Sequence, residues 1–245
     1  MMSKTLILIP SRMSASRLPG KPLLKINGIS IISHVYKKAL ETNIGDVYVA
    51  TEDKEIQEDI NLNGGKSIIT SNMHATGTDR IFEAFKKLNI KNIDYILNLQ
   101  GDEPLLNCED IINLNNLITS NDLEMGSLAC NIFEENKYKN ENIVKVKTKE
   151  KLLEKKIVKA DSFFRKLNLE DKKNVYHHIG IYIYKVSILE KITSLEQSKN
   201  EKNLRLEQLR ALENNIDINL VLAKSSPVGV DTNEDYEKVK KVLET

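Results

Sequence analysis

The sequence has little of what would indicate a secreted, membrane-bound or nucleic-acid-binding protein. Its two cysteines, Cys108 and Cys130, lie far apart and outside any metal-binding spacing, which predicts reduced thiols. Lys and Arg total 36 against 35 for Asp and Glu, so no global charge favours nucleic acid. No stretch approaches the roughly 18 apolar residues of a membrane helix, and Pro10 ends the first apolar run before it could form a signal-peptide core. We therefore expect a cytoplasmic protein with no nucleic-acid partner and no membrane partner.

The composition is that of an ordinary globular protein. Hydrophobic residues make up 40% of the chain and charged residues 29%, which is enough for a real core and a soluble surface. A chain of 245 residues with α/β patterning often forms one domain. We therefore predict a single domain over residues 1–245.

Strand and helix patterns alternate along the first part of the chain. Predicted strands at 5–9, 47–50 and 67–70 alternate with predicted helices at 31–40 and 54–62. Short β-α-β-α-β connections predict an α/β fold, with a mainly parallel sheet and helices on both faces. Ligands of such sheets bind at the carboxyl ends of the strands.

The loop that follows the first predicted strand, residues 10–21, has three cations among small residues. Arg12, Arg17 and Lys21 could bind one anionic ligand together with backbone N–H groups. The alternative is an ordinary β–α connection with solvated charges. The charges alone do not decide between the two.

One aspartate is a candidate ligand for a phosphate-bound metal, and a second is placed to face a ligand. Asp102 follows a predicted strand at 95–99 and Gly101, which would let a ligand approach, although a Gly-Asp turn is the alternative. Asp231 precedes a capping box that Thr232 and Asp235 form at the start of the last predicted helix. Asp231 is therefore left to face a ligand.

Several strings resemble one family. Arg-x-x-x-x-Arg-Leu-Pro-Gly-Lys-Pro-Leu, from Arg12, is similar to the signature loop of the sugar-acid cytidylyltransferases, and above all of the 3-deoxy-D-manno-octulosonate (Kdo) cytidylyltransferase, or CMP-Kdo synthetase, family. Further family strings recur at 74–80, 100–104, 178–182, 206–210 and 229–235. The resemblance runs from residue 10 to about 239 and breaks at 148–174.

The resemblance implies a Rossmann-like three-layer α/β/α nucleotidyltransferase fold. Its central sheet would be mixed and mainly parallel, with a small dimerisation and sugar-binding extension at about 175–212 of a homodimer. The implied enzyme activates Kdo with CTP, giving CMP-Kdo and pyrophosphate, for lipopolysaccharide synthesis. CTP and the sugar acid would be its small-molecule partners and Mg²⁺ its cofactor.

The resemblance also implies roles for particular residues. Catalytic roles would belong to Arg12, Lys21, Asp102 and Asp231, of which the two aspartates would bind Mg²⁺. The nucleotide would be bound by Pro10, Ser11, Arg12, Arg17, Lys21, Thr78, Arg80 and Gln100. The sugar acid would be bound by Gln100, Arg165, His178, Tyr182, Glu207 and Gln208.

Other interpretations stay open at this point. His178 could be a structural histidine, Arg165 a surface arginine, and Glu207 and Gln208 part of the solvated face of a helix at 204–213. The substrate could be another ulosonic acid, of the sialic acid or amino-Kdo type. The chain could also be a non-catalytic nucleotide-binding homologue. No general base is evident, and residues 136–142 are expected to form a loop.

Overall fold

The computed structural model describes residues 3–14, 17–167, 172–224 and 226–244. Its strands are β1 (Thr5–Ser11), β2 (Lys25–Ile26), β3 (Ile29–Ser30), β4 (Val47–Thr51), β5 (Ser67–Ile69), β6 (Tyr95–Asn98), β7 (Met125–Cys130), β8 (Lys145–Thr148), β9 (Ile157–Phe164), β10 (Val175–Lys185) and β11 (Asn219–Leu222). Its α-helices are α1 (Ile31–Glu41), α2 (Lys54–Leu62), α3 (Gly77–Leu88), α4 (Cys108–Ser120), α5 (Glu135–Lys139), α6 (Val186–Ser194), α7 (Lys199–Leu204), α8 (Gln208–Glu213) and α9 (Asn233–Leu243). Within the described ranges, no helix has the length and apolarity needed to cross a bilayer.

The chain forms two compact units. The first comprises residues 1–108 and 227–245, and the second comprises residues 109–226. The organisation as one domain with a lobe at 175–212, the homodimer and the cytoplasmic location stay predictions.

The first unit contains a parallel sheet in the strand order β5-β4-β1-β6. This arrangement confirms the β-α-β-α-β order predicted from the sequence. The side chains from Leu6 to Ile9 are fully buried, as expected for an inner strand covered on both faces. Because the strands are parallel, their carboxyl ends meet at one edge of the sheet.

Strand β1 continues two residues beyond its predicted end, and Pro10 lies opposite Ala50 of β4. The pairing of β1 with β6 stops at Leu8. At Pro10, β1 therefore has a strand neighbour on one side only, where a residue without an N–H is tolerated. The prediction that Pro10 ends the strand was wrong by this margin.

The second unit has a mainly antiparallel sheet. Strand β10 pairs with β7 and β8, and β9 pairs with β8 and β11, all antiparallel. Among the described residues of this unit, only the pairing of β7 with β11 is parallel. No strand was predicted in the segment that contains β9. The exposed Lys159 and Asp161 alternate with the buried Val158 and Ala160, so the period of two holds over 158–161. The register of the pairing with β8 shifts between Ala160 and Ser162, and the buried Phe163 beyond the shift is out of this period.

Two local predictions in the second unit were wrong. The expected loop at 136–142 begins within the short helix α5. The expected helix at 204–213 begins only at Gln208, as α8, because the preceding helix α7 ends at Leu204. Arg205 ends α7 in the left-handed conformation, with φ of 54°, and the chain turns there before α8 begins.

A buried ion pair connects α7 to α8. The guanidinium of Arg210 donates to Glu201, with an Nη2–Oε1 distance of 2.6 Å, and the two side chains are 3% and 2% exposed. Glu201 also completes a capping box with Ser198 at the start of α7. One carboxylate thus holds the beginning of α7 and the guanidinium of α8 together.

We predict that Glu201→Gln lowers the free energy of unfolding by about 3–5 kcal/mol, because it removes the charge of a buried carboxylate that pairs with the buried Arg210 guanidinium. Chemical denaturation measures this loss. Asp46→Asn is the matched control, since Asp46 pairs with Lys66 and both side chains are more than half exposed. Its loss should stay within about 1 kcal/mol. Equal small losses in both variants would contradict the interpretation.

Candidate nucleotide-binding site

The carboxyl end of β1 is packed closely by two glycines. A Cβ atom on Gly101 would lie 2.8 Å from the carbonyl oxygen of Pro10, and one on Gly77 would lie 3.3 Å from Pro10 Cγ. Only glycine permits an approach this close at Gly101. The structure therefore brings together three segments that the sequence analysis assigned to the nucleotide: the end of β1, the start of α3 and the turn after β6.

The cationic loop is held to the same unit at both of its described parts. The N–H of Met13 donates to Asp53 Oδ2 over 2.7 Å. Gly20 is left-handed, with φ of 70°, and a short 3-10 helix, Lys21–Leu23, follows it. This turn buries most of the Lys21 side chain. Residues 15–16 of the loop lie outside the described residues.

Four of the predicted site residues meet in one charged cluster. The Nζ atom of Lys21 donates to Asp102 Oδ2 over 2.6 Å and to Asp231 Oδ1 over 3.1 Å. Arg17 Nη2 lies 3.0 Å from Asp231 Oδ2. The two aspartates, which are far apart in the sequence, thus contact one ammonium group.

The main chain fixes this meeting of the aspartates. The N–H of Val230 donates to the carbonyl oxygen of Asp102 over 2.8 Å. The Val230 side chain is fully buried and packs with Ile26, Ile31 and Val239. The capping box of Thr232 then starts α9 directly after Asp231, as predicted. Apolar packing and one backbone hydrogen bond therefore position the second carboxylate beside the first.

The charges of the cluster affect each other's protonation. Burial alone would lower the pKa of Lys21, but the charges and hydrogen bonds of Asp102 and Asp231 outweigh it and raise that pKa. Burial, followed by the charges of the two aspartates, raises the pKa of Glu103 to about 8. Glu103 Oε2 is buried and has no hydrogen-bond partner among the described residues. Glu103 was not among the predicted site residues, although it belongs to the family string at 100–104, Gln-Gly-Asp-Glu-Pro.

The remaining nucleotide candidates differ in their surroundings. Thr78 is buried in the first turn of α3, which the Thr76 hydroxyl caps by accepting from the N–H of Asp79. Gln100 is half-buried after β6, Ser11 is buried at the end of β1, and Arg12 is exposed just after β1.

Arg80 is only 3% exposed, and its guanidinium is held inside the protein. It donates to Thr70 Oγ1 over 2.8 Å and forms an ion pair with Glu52, at the end of β4. This arrangement braces the loops after β4 and β5 against α3. A direct contact of Arg80 with the nucleotide stays a prediction.

The sugar-acid candidates lie in the second unit. The rings of His178 and Tyr182, both buried on β10, have centroids 5.5 Å apart. Burial, followed by the charges of Tyr184 and Glu207, raises the pKa of Tyr182 well above its ordinary value. Gln208 is also buried, and its Nε2 has no partner within the described ranges. Gln208 is therefore not on a solvated face.

Arg165 contacts main-chain oxygens. Its guanidinium donates to the carbonyl groups of Glu141, Leu204 and Arg205, over 3.0, 2.8 and 3.2 Å. These bonds hold the turn between α7 and α8, which directly precedes Glu207. Arg165 is thus more than a surface arginine, and its contact with the sugar acid stays a prediction.

A parallel sheet with a cationic loop after its first strand, and with carboxylates beyond its strand ends, is typical of a nucleotidyltransferase. A solved UDP-glucose pyrophosphorylase complexed with UDP-glucose, 16% identical, superposes with a TM-score of 0.72 and covers 99% of both chains. A solved CMP:2-keto-3-deoxy-manno-octonic acid synthetase complexed with CTP is 34% identical, with a TM-score of 0.89 and 99% of both chains covered. These similarities confirm the predicted Rossmann-like α/β nucleotidyltransferase fold.

Sequence comparison narrows the assignment from the nucleotidyltransferases to one family of them. The cytidylyltransferase family model matches residues 6–218. The 3-deoxy-manno-octulosonate cytidylyltransferase of Rhodopseudomonas palustris (strain BisB5) is 40% identical over 98% of this chain and 97% of its own. That of Bartonella bacilliformis is 37% identical over 98% of each chain. The chain belongs to the 3-deoxy-manno-octulosonate cytidylyltransferases of the cytidylyltransferase family.

The donor set of the cluster fits magnesium. In the part of the chain that the structure describes, no group of three or more His, Cys, Asp and Glu side chains is arranged to hold a metal. Asp102 and Asp231 offer carboxylate oxygens at one place. Mg²⁺ is usually bound through one or two carboxylates, with water and substrate phosphates as its other ligands. A two-carboxylate site therefore suits Mg²⁺ that arrives with a nucleotide.

We predict that His178 stays neutral in the folded protein at about pH 5 to 8, the range in which an ordinary histidine titrates. Burial, followed by the charge of His177, lowers the pKa of His178 to about 3 from its ordinary 6.5. The Ser127 hydroxyl, 3.0 Å from His178 Nε2, is a partner for the neutral ring. NMR of the imidazole resonances measures this, with the urea-unfolded chain as control.

The same shift makes the protein less stable in acid. As the pH falls below 6.5, the unfolded chain binds a proton that folded His178 does not, until the pH reaches about 3. The free energy of unfolding should then fall by up to about 1.4 kcal/mol per pH unit from this group. A folded-state titration of His178 near pH 6.5 would contradict both statements.

Proposed function

We propose that this protein transfers the cytidylyl group of CTP to the anomeric 2-hydroxyl of Kdo, producing CMP-Kdo and pyrophosphate. The 40% identity to a 3-deoxy-manno-octulosonate cytidylyltransferase over nearly the whole of both chains supports this activity. The similarity to a synthetase complexed with CTP supports the nucleotide. The observation that carries the proposal is the cluster of Arg17, Lys21, Asp102 and Asp231 at the strand ends.

The reaction joins two anions, since a sugar carboxylate must approach a triphosphate. Arg17 and Lys21 supply positive charge to the phosphates and reduce this repulsion. The close packing of Pro10 against Gly101 holds the end of β1 beside the turn that carries Asp102. Positioning and charge neutralisation are the main contributions that a protein makes to phosphoryl transfer.

We also propose that Asp102 and Asp231 hold Mg²⁺. When bound, the ion would neutralise the α-phosphate and the leaving pyrophosphate and lower the pKa of the attacking hydroxyl. The two carboxylates would keep the ion beside the cations of the loop. The contacts of Lys21 with both aspartates support this arrangement.

The second unit would bind the sugar acid through uncharged groups together with Glu207. The Gln208 amide is buried, and its Nε2 has no partner among the described residues. This N–H group could donate a hydrogen bond to a sugar hydroxyl or carboxylate. Tyr182 offers a protonated phenol and His178 a neutral imidazole, as their shifted pKa values imply. Glu207 supplies an acceptor for sugar hydroxyls.

We predict that Asp102→Asn and Asp231→Asn each lower kcat for pyrophosphate release by at least about 10³-fold, because each removes a charge that the transition state requires. The assay contains CTP, Mg²⁺ and Kdo. Asp46→Asn, at the opposite ends of the parallel strands, should keep wild-type activity.

Two results would contradict the proposal. Near-wild-type activity of either aspartate variant would remove the metal assignment. If the wild-type protein turned over another ulosonic acid, such as sialic acid, faster than Kdo, the assignment of Kdo as the substrate would be removed. Circular dichroism and thermal denaturation of each variant would show that the fold is retained.

A further inference from the structure

The Lys21 ammonium is held by two carboxylates. Two of its three N–H groups point at Asp102 and Asp231, the carboxylates that would hold the metal. The side chain is 11% exposed, whereas the carboxylates are 36% and 48% exposed. The ammonium therefore occupies the inner side of the carboxylate pair, and the outer side faces solvent.

The charges of this cluster cancel. Asp102 and Asp231 carry two negative charges, and Lys21 and Arg17 carry two positive charges within hydrogen-bonding distance of them. A divalent cation that approached this cluster would meet no net attraction. It would also face repulsion from an ammonium already bound to its ligand oxygens.

A nucleotide triphosphate changes this balance. The triphosphate carries more negative charge than the two carboxylates together and therefore attracts the ammonium more strongly than they do, and the flexible four-carbon stem of a lysine permits the movement. Once Lys21 Nζ contacts a phosphate, oxygens of both aspartates become available together. The same triphosphate offers further ligands to the metal.

We infer that Lys21 excludes divalent cations from Asp102 and Asp231 until CTP binds, so that the ordered arrival of nucleotide and metal is built into the site. This inference rests on the proposed function, which assigns the metal to those two aspartates. Lys21 is then both a ligand for the nucleotide and an internal competitor of the metal. By linkage, a metal that CTP admits must in turn strengthen the binding of CTP.

A purely structural ion pair would behave differently. If Lys21 only stabilised the fold, its removal would lower the melting temperature and leave the affinity for a divalent cation unchanged. If Lys21 competes with the metal, removing its charge raises that affinity in the absence of nucleotide. Metal affinity without CTP therefore separates the two roles, and turnover is not needed as a readout.

The experiment measures Mn²⁺ binding to the nucleotide-free, full-length protein by electron paramagnetic resonance and titration calorimetry. Lys21→Met should bind Mn²⁺ at least about tenfold more tightly than the wild type, because a neighbouring positive charge has been removed. Lys21→Arg, which keeps the charge, should bind as weakly as the wild type. Lys66→Met is the matched control, since it removes an exposed lysine that also pairs with an aspartate, and it should change nothing.

Two further variants keep the test decisive. If Lys21→Met fails to fold, Lys21→Gln takes its place, because its neutral amide can still donate to a carboxylate. Lys21→Gln should show the same gain in affinity for Mn²⁺. Adding Asp231→Asn to Lys21→Met should abolish the gain. A gain that survives Asp231→Asn would refute the metal assignment of the proposed function. No gain in either neutral Lys21 variant would overturn the present inference alone.

Discussion

The site depends on one ammonium group that contacts two carboxylates from distant parts of the chain. Lys21 comes from the first loop, Asp102 from the turn after β6, and Asp231 from the residue before α9. Their meeting requires a parallel sheet, because only parallel strands bring the ends of β1 and β6 to one edge. It also requires the hydrogen bond from Val230 to Asp102, which brings the last segment of the chain to that edge.

The composition of the chain does not indicate the local charge of the site. The chain carries a net charge of only +1, so nothing in its total charge predicts a binding site for a triphosphate. The positive charge of the site comes from the cationic loop, of which Arg17 and Lys21 pair with Asp102 and Asp231. In the proposed reaction, a triphosphate that draws Lys21 away and brings Mg²⁺ to Asp102 and Asp231 would gain more than an anion that contacts the loop alone.

Patterns of apolar residues predicted much of the first unit. The run from Leu6 to Ile9 indicated a buried strand, and the bounds of α2 agree with the prediction. The capping box before α9 was also evident, because Thr232 and Asp235 are neighbours in sequence. Local signals of this kind need no knowledge of the rest of the chain.

Features that depend on distant contacts were not predictable. The Arg80 side chain is buried because its guanidinium contacts Glu52 and Thr70, which lie on other loops. The shifted pKa of Glu103 depends on burial and on Asp231, and the left-handed turn at Arg205 accompanies the buried pair of Glu201 with a residue of α8. The family resemblance supplied the predicted site residues, whereas the position of Lys21 between the aspartates required the structure.

A crystal structure with CTP and Mn²⁺ would test the central claim most directly, because the anomalous signal of manganese locates the metal independently of the protein. The account predicts a peak within about 2.3 Å of oxygens from both Asp102 and Asp231, with Lys21 Nζ moved onto a phosphate oxygen. A manganese peak away from either aspartate, or a Lys21 that still bridges both carboxylates with CTP bound, would contradict it.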